Sequence, residues 1–498
     1  MRTCVNSERV VGVTNPMIYG QFIEHFHRQV YGGVYDPGNP LSDEDGFRTD
    51  VIDALQKIQV PILRWPGGCF ASAYHWKCAV GKKREPVYDK AWRVAEPGTF
   101  GTDEYIKFCN KVGCRPYICT NAGSGSVEEM SDWVEYCNLA DEGRNARWRI
   151  ENGAWEPHSV RYWSIGNENY DPFEIGAKDK KEWGRLVLES AKMMKSVDPA
   201  IELSAAALDD VEWNFELLKY AGQWIDWISI HKYWDEIQES NDYADYEASV
   251  AYTMEIETLI RRARSLLETM GLDHRIKIAF DEWNLRGWYH PRTHCENPGI
   301  VKEEYLYPRD LNDENEKYTM ADAIFTACFL NTCNRNCDIV HMANFAPAIN
   351  ARGCIYTWEK GIVLRSTYHV FYLYVNEMGR TVIDLFSQEQ GYIQIRNKSG
   401  EMIDIPQADV LATIDYDRAM VCISIINRSP DKGMEFSLNV SNQDYQQQRV
   451  LTLAGASTES YNGIGHDEVF VEYNDWEGYE PHSIINLKPH SVNIIQIR

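Results

Sequence analysis

The chain of 498 residues carries 50 basic and 74 acidic side chains, a formal net charge of -24, and its longest basic run is residues 82–84. Nucleic acids and anionic membranes are therefore excluded as partners, because both require a basic surface. With no window of about 18 apolar residues, no apolar leader segment and 13 cysteines without paired spacings, the sequence predicts a soluble, cytoplasmic protein with free thiols.

The first 375 residues alternate short apolar runs with longer amphipathic stretches. The apolar runs predict eight strands, at 17–23, 60–65, 115–121, 160–165, 201–206, 227–231, 277–280 and 339–345. Apolar residues at three- and four-residue spacing predict helices between them, including 102–112, 127–138, 180–196, 251–270 and 320–333. Eight βα units with short loops predict an α/β fold, a (β/α)8 TIM barrel. An open doubly wound sheet is the alternative, but no G-x-G-x-x-G motif follows the first strand to support a dinucleotide site.

The pattern of apolar and polar residues changes after a helix-like stretch at 366–378. Short predicted strands follow at 381–386, 392–396, 410–415, 419–427, 435–440, 449–453 and 492–497, with turn residues between them. They predict a C-terminal all-β sandwich domain of the jelly-roll kind. The predicted domains are a catalytic barrel at 14–378 and the sandwich at 379–498, which residues 1–13 are expected to join as an added strand.

Chemistry in such a barrel collects at the carboxyl ends of the strands. Glu168 stands just beyond the fourth predicted strand and Glu282 just beyond the seventh. These strands lie across the barrel mouth from each other, so the two carboxyl groups can face one bound sugar from opposite sides. Cleavage of a glycosidic bond requires such a pair, an acid to protonate the leaving oxygen and a carboxylate to attack the anomeric carbon. Asn167 is placed to bind the hydroxyl next to that carbon.

Six motifs stand in order along the chain: GQFIEH at 20–25, LRWPGG at 63–68, FGTDE at 100–104, GNE at 166–168, DEWN at 281–284 and TYHVF at 367–371. On these motifs the chain resembles the α-L-arabinofuranosidases of glycoside hydrolase family 51, retaining barrel enzymes, from about residue 19 to residue 374. The C-terminal β domain is similar too.

The resemblance implies that Glu168 is the acid/base and Glu282 the nucleophile in the hydrolysis of terminal, non-reducing α-L-arabinofuranosyl residues through a covalent intermediate. The implied substrates are arabinose-containing oligosaccharides such as fragments of arabinan and arabinoxylan. The substrate-binding positions carried over are Glu24, Arg64, Cys69, Asn167, His231, Tyr233 and Trp288. Neither a cofactor nor a metal is implied. Members of the family are often hexamers, which implies a homo-oligomer.

One departure affects the choice of sugar. Many relatives place a sugar-binding Gln where this chain has Pro347, and proline offers no side-chain donor. Asn344, Asn350 or Arg352 could replace the amide and keep arabinofuranose as the preferred glycone. The alternative is a glycosidase of the same mechanism that acts on galactofuranose or another pentose. The loop at 169–173 and an apparent insertion at 286–287, before Trp288, also differ.

Two other classes of protein are alternatives to a glycosidase. A metal-dependent barrel hydrolase is suggested by His25 and His27 after the first strand and by His231 after the sixth, but Asp338 begins the eighth strand instead of ending it, so the cage is incomplete. A non-catalytic carbohydrate-binding protein is suggested by 16 Trp, 29 Tyr and 16 Phe residues, which make up 12% of the chain. The presence of both candidate carboxylates argues against it.

Overall fold

The computed structural model describes residues 1–235, 243–287, 317–388, 391–441 and 445–498. Its strands, in chain order, are β1 (Arg2–Val13), β2 (Gly20–Phe22), β3 (Ile62–Trp65), β4 (Val87–Asp89), β5 (Val94–Glu96), β6 (Arg115–Thr120), β7 (Tyr162–Ile165), β8 (Glu202–Ala207), β9 (Trp227–Asp235), β10 (Lys277–Arg286), β11 (Val340–Phe345), β12 (Ile355–Trp358), β13 (Gly361–Leu364), β14 (Thr381–Gln388), β15 (Tyr392–Arg396), β16 (Met402–Pro406), β17 (Ala408–Asp415), β18 (Met420–Asn427), β19 (Met434–Ser441), β20 (Gln447–Ala454), β21 (Asn462–Gly463), β22 (His466–Asp467), β23 (Phe470–Tyr473), β24 (Glu477–Gly478), β25 (Ile484–Leu487) and β26 (Ser491–Ile497).

Eight of these strands close into a parallel barrel in the order β2, β3, β6, β7, β8, β9, β10, β11. The predicted (β/α)8 barrel is confirmed. Seven side chains fill the amino end of its interior: Met17, Ile62, Tyr117, Tyr162, Trp227, Ala279 and Met342. This apolar plug leaves the opposite end of the barrel to the polar residues that follow the strands.

The described helices are α1 (Thr49–Lys57), α2 (Thr102–Val112), α3 (Val127–Asn138), α4 (Arg144–Glu151), α5 (Lys180–Val197), α6 (Val211–Ala221), α7 (Tyr246–Ala251), α8 (Ile256–Thr269), α9 (Met320–Arg335) and α10 (Ser366–Glu377). Helix α8 is typical: Ile256, Leu259, Ile260, Ala263 and Leu267 are buried at three- and four-residue spacing, so one stripe packs on the barrel. Each large apolar side chain buried in this way contributes about 1.5 to 3 kcal/mol.

Two predicted elements differ from the structure in their winding. Residues 16–19 form a 3-10 helix before β2, because Pro16 occupies its first turn and the Asn15 side chain accepts a hydrogen bond from the Met17 amide. The predicted helix at 251–270 is α8 alone, since a 3-10 turn at Tyr252–Met254 separates it from α7. Apolar periodicity does not distinguish these local changes of winding.

The C-terminal part of the chain is mostly strands, as predicted. Ten strands form one sheet, along which β23, β20, β26, β18, β17, β14, β1, β19 and β25 are neighbours, with β24 paired to β20. Alternate residues of β18 face opposite sides: Val421, Ile423 and Ile425 lie in the domain's own core, and Cys422 and Ile426 in the main core shared with the barrel. A period of two thus buries both faces.

The N-terminal strand β1 pairs antiparallel with β14, from Arg2 opposite Gln388 to Val13 opposite Thr381, and parallel with β19. The division of the chain at residues 378 and 379 stays a prediction. Among the helices of the described ranges, none is both long and apolar enough to cross a membrane.

Candidate active site

A cleft of about 600 Å³ opens at the carboxyl ends of the barrel strands. Its lining includes Glu24, Cys69, Glu168, His231, Tyr233 and Glu282. Arg64 and Asn167 are buried among them, at 0% and 1% exposure. The structure therefore brings together eight of the nine residues predicted from the sequence. The ninth, Trp288, lies outside the described residues.

Glu282 lies within β10, which continues past the apolar run that predicted it. Its Oε2 accepts a hydrogen bond from Arg64 Nη1 at 2.8 Å, and its Oε1 accepts one from the Tyr233 hydroxyl at 2.6 Å. Gly68 approaches it closely, since a Cβ there would lie 3.2 Å from Oε2. Two donors and a backbone wall hold this carboxylate in one orientation.

Arg64 ties the nucleophile candidate to Asn167. Its Nη2 donates a hydrogen bond to Asn167 Oδ1 at 2.9 Å, while its Nη1 donates one to Glu282. The Asn167 Nδ2 group is buried and has no hydrogen-bond partner among the described residues. A buried amide donor without a partner is costly unless a ligand satisfies it. Asn167 is therefore set up to donate to a sugar hydroxyl.

Glu168 occupies the loop after β7 with a left-handed backbone, φ +44°. Its Oε1 lies 2.9 Å from His231 Nδ1. Burial raises the pKa of Glu168, and the negative charge of Glu282 adds to that effect, whereas the hydrogen bond with His231 opposes it. One oxygen of Glu168, one of Glu282 and Nδ1 of His231 all lie within 4.8 Å of one another.

The structure gives His231 a position that the sequence did not predict. Its ring lies between three carboxylates, with Nδ1 3.5 Å from Glu282 and Nε2 3.3 Å from Asp281. Although burial favours the neutral ring, Glu282, Asp281 and Glu168 raise the pKa of His231 to about 10. The ring therefore carries a positive charge at neutral pH and bridges the two catalytic candidates.

Asp281 contacts the other ring nitrogen of His231, Nε2, and was not among the residues predicted from the sequence. It is fully buried and accepts hydrogen bonds from the Ser229 and Tyr117 hydroxyls, both at 2.5 Å. Burial alone would raise its pKa, but His231, Arg64 and Ser229 lower the pKa of Asp281 to about 2. The available signal was its place next to Glu282 in the DEWN motif. A period of two would put the two side chains on opposite sides of the strand, but the register of β10 on β9 shifts between Ala279 and Glu282.

Glu24, after β2, accepts hydrogen bonds from the Phe70 amide and from Trp92 Nε1, both at 3.0 Å. Burial, together with the charge of Glu282, raises the pKa of Glu24 to about 8. Gly67, at φ +153°, lies against this side chain, and a Cβ there would meet Glu24 Cγ at 2.3 Å. Trp92 belongs to the connection between β4 and β5, a hairpin outside the βα pattern, so no sequence signal pointed to it.

Pro347 lines the cleft, and of the three proposed substitutes for the amide only Arg352 does so. Asn344 Nδ2 donates to the Gln21 carbonyl, and Asn350 Nδ2 donates to the Arg28 carbonyl and to the Thr357 hydroxyl. Arg352 lies with its guanidinium carbon 5.9 Å from the centre of the Tyr233 ring. It is thus the candidate with access to a bound sugar.

His25 does not suit the metal-cage interpretation. Its Nδ1 lies 3.2 Å from Glu96, and its Nε2 accepts a hydrogen bond from Trp65 Nε1 at 3.0 Å, so both ring nitrogens are engaged. Within the described ranges, the donor groups close enough to share a metal ion are Cys69–Glu168–Glu174 and Glu168–His231–Glu282. Both contain Glu168 and belong to the same cleft, and we assign no metal to either.

The barrel and its carboxylate-lined cleft define the class: a glycoside hydrolase. Two family models match, the α-L-arabinofuranosidase 1 domain over residues 54–250 and the α-L-arabinofuranosidase C-terminal domain over residues 281–491. The α-L-arabinofuranosidase C of Emericella nidulans is 31% identical over 99% of this chain and 96% of its own length. An intracellular exo-α-(1→5)-L-arabinofuranosidase of Acetivibrio thermocellus is 30% identical over 100% of this chain and 99% of its own.

Solved structures agree. The α-L-arabinofuranosidase of Thermotoga maritima in complex with arabinose has a TM-score of 0.85 and 33% identity, covering 99% of each chain. The thermostable family 51 enzyme of Thermotoga petrophila has a TM-score of 0.86 and 32% identity over 100% of both chains. The chain belongs to the α-L-arabinofuranosidases of glycoside hydrolase family 51.

Proposed function

We propose that this protein hydrolyses terminal, non-reducing α-L-arabinofuranosyl residues with retention of configuration, with Glu282 as nucleophile and Glu168 as acid/base. The observation that carries the proposal is the approach of the two carboxyl groups, whose nearest oxygens lie within 4.8 Å. Retaining glycosidases hold their carboxyl groups about 5 to 5.5 Å apart, whereas inverting enzymes need about 6.5 to 9.5 Å to seat a water molecule between carboxylate and sugar.

In the first step a Glu282 oxygen attacks the anomeric carbon while Glu168 donates its proton to the leaving glycosidic oxygen. The glycosidic bond breaks, and the sugar is held as an ester of Glu282. In the second step Glu168, now a carboxylate, takes a proton from water as the water oxygen attacks the same carbon and releases Glu282. Arg64 and Tyr233 then donate hydrogen bonds to the released Glu282 carboxylate. Asn167 binds the sugar hydroxyl next to the anomeric carbon.

The proposed substrates are arabinose-containing oligosaccharides, including fragments of arabinan and arabinoxylan. The cleft of about 600 Å³, whose lining includes Trp92 and Arg352, has room for the end of a sugar chain. The A. thermocellus relative is named for exo action on α-(1→5) linkages. Action on galactofuranosides or another pentoside stays the second candidate because Pro347 lines the sugar cleft. The cytoplasmic location and the homo-oligomeric state stay predictions.

The direct test is proton NMR of the reaction with p-nitrophenyl α-L-arabinofuranoside. Retention predicts that α-L-arabinofuranose is the first anomer released, before mutarotation. A β anomer as first product would contradict the roles given to Glu168 and Glu282. Faster hydrolysis of the galactofuranoside than of the arabinofuranoside would favour the second candidate.

A further inference from the structure

Glu174 is a buried carboxyl group for which the proposed mechanism has no use. It lies in the loop between β7 and α5, is 4% exposed, and neither of its oxygens has a hydrogen-bond partner among the described residues. Its polar neighbours are the thiol of Cys69 and the hydroxyl of Ser72. A buried carboxyl group without a cation or a hydrogen bond is expensive to keep, which suggests that it has a role.

The loop holds Glu174 close to the general acid. The Asp171 amide donates to the Glu168 carbonyl at 2.8 Å, and the Glu174 amide donates to the Asp171 carbonyl at 3.0 Å. Gly176 packs against Gly123 so tightly that a Cβ would lie 2.5 Å from the Gly123 Cα. Consequently an oxygen of Glu174, an oxygen of Glu168 and the Cys69 sulfur all lie within 4.8 Å of one another.

Repulsion between two carboxylates this close makes ionisation of both groups unfavourable. The pair therefore retains a proton at a pH where an isolated carboxyl group would lose it. The titratable groups with the largest influence on Glu174 are Cys69, Glu168 and Glu282, and none of these three is cationic. Around Glu168, His231 opposes proton retention and Glu282 and Asp171 favour it, and Cys69 and Glu174 lie beside the same carboxyl group. Burial raises the pKa of Glu174 to about 8; the neighbouring Ser72 hydroxyl and Cys69 thiol oppose this rise, and the charges of Glu168 and Glu282 add to it.

We propose that Glu174 is a positioning residue that acts through Glu168: its carboxyl group lies beside the general acid, and its negative charge keeps the Glu168 proton available for the leaving group at alkaline pH. The inference rests on the proposed function of Glu168. When Glu174 ionises, its negative charge makes loss of the Glu168 proton harder. Removing the charge therefore makes Glu168 ionise at lower pH.

The test is the pH dependence of kcat/KM for Glu174→Gln, which has the same shape but stays neutral. On arabinobiose, whose departure needs a proton, the alkaline limb should move to lower pH by about one unit. On p-nitrophenyl α-L-arabinofuranoside, whose leaving group needs little assistance, the limb should stay where it is. A merely structural role would change both substrates alike.

Glu189→Gln makes the same charge change at an exposed position of α5 and should behave as the wild type. Should Glu174→Gln fail to fold, Glu174→Met replaces the buried carboxyl by an apolar chain of similar length and carries the same expectation. An arabinobiose limb that does not move in a folded variant overturns the proposal. Wild-type protein that cleaves neither substrate would instead overturn the proposed function.

Discussion

In the proposed mechanism Glu168 gives a proton to the leaving oxygen and then takes one from water, so its removal should affect substrates unequally. Glu168→Ala should retain turnover on aryl arabinofuranosides with good leaving groups far better than on arabino-oligosaccharides, because only the latter need protonation. Steady-state kinetics on both substrates, with and without azide, check this expectation. Azide should restore activity, since a small anion can enter the space left by the side chain.

Glu282→Ala is the matched control, because it removes the proposed nucleophile and should lose activity on both substrate types. Equal losses for Glu168→Ala on aryl and sugar leaving groups would reject its assignment as acid/base.

Arg352 is the residue on which the choice of sugar should depend. Replacing Arg352 by Ala should lower kcat/KM on arabinofuranosides by roughly 10- to 100-fold, since a lost hydrogen bond to a buried hydroxyl costs about 1 to 3 kcal/mol. Competition kinetics with arabinofuranosides and galactofuranosides measure the ratio of kcat/KM for the two sugars, with Arg352→Lys as the charge-preserving control. If Arg352→Ala kept the preference for arabinofuranosides over galactofuranosides, other residues of the cleft would have to determine the choice of sugar.

At the scale of elements, the loop after β7 depends on Gly166. This residue has φ +71°, and a Cβ would lie 2.1 Å from Asn169 Oδ1 and 2.6 Å from the Trp183 ring. Gly166→Ala should therefore displace Asn167 and Glu168 and reduce kcat by at least about 100-fold, because an error of roughly 1 Å in a catalytic group can cost that much.

Gly113 gives the matched comparison at the end of α2. It has a similar backbone, φ +84°, but nothing within 4 Å of an added Cβ. Gly113→Ala should cost about 1 to 2 kcal/mol of stability for the left-handed conformation and leave kcat unchanged. Chemical unfolding and kinetics of the two variants separate backbone strain from the loss of space. Equal activity in both would show that the loop tolerates displacement.

At the scale of the whole molecule, the buried titratable groups of the cleft make the stability of the fold depend on pH. Glu24 has a folded pKa of about 8 and His231 one of about 10, both above their ordinary values of 4.5 and 6.5. Where a folded pKa is raised, the folded state binds more protons than the unfolded state, so stability falls as pH rises. The windows are 4.5 to about 8 for Glu24 and 6.5 to about 10 for His231.

We therefore expect the free energy of unfolding to be lower at about pH 9 than at about pH 6, as measured by urea denaturation. Glu24→Gln should flatten the part of this dependence that lies below about pH 8. A stability that rises steadily from pH 6 to pH 9 would contradict the protonated state of these groups.

The sequence by itself determined the barrel, the mostly-strand C-terminal part and the position of the proposed catalytic pair. Strands and helices follow from periods of 2 and 3.6 in nearby residues, and a residue that directly follows a barrel strand lies at the barrel mouth whatever the details of packing. Glu168 directly follows β7 and Glu282 lies in the carboxyl-terminal half of β10, so both could be found for that reason. The limits of 3-10 turns, such as Tyr252–Met254, could not, because apolar spacing is similar in both kinds of winding.

Only the tertiary structure decided which side chains touch. Asp281 and Tyr117 are 164 positions apart, Arg64 and Glu282 are 218 apart, and barrel closure brings each pair into contact. The bridging role of His231, the proximity of Glu174 to Glu168, and the access of Arg352 but not Asn344 or Asn350 to the cleft all depend on such contacts. Local patterns carry no information on them, because the direction of a side chain across a barrel is set by the packing of every strand between.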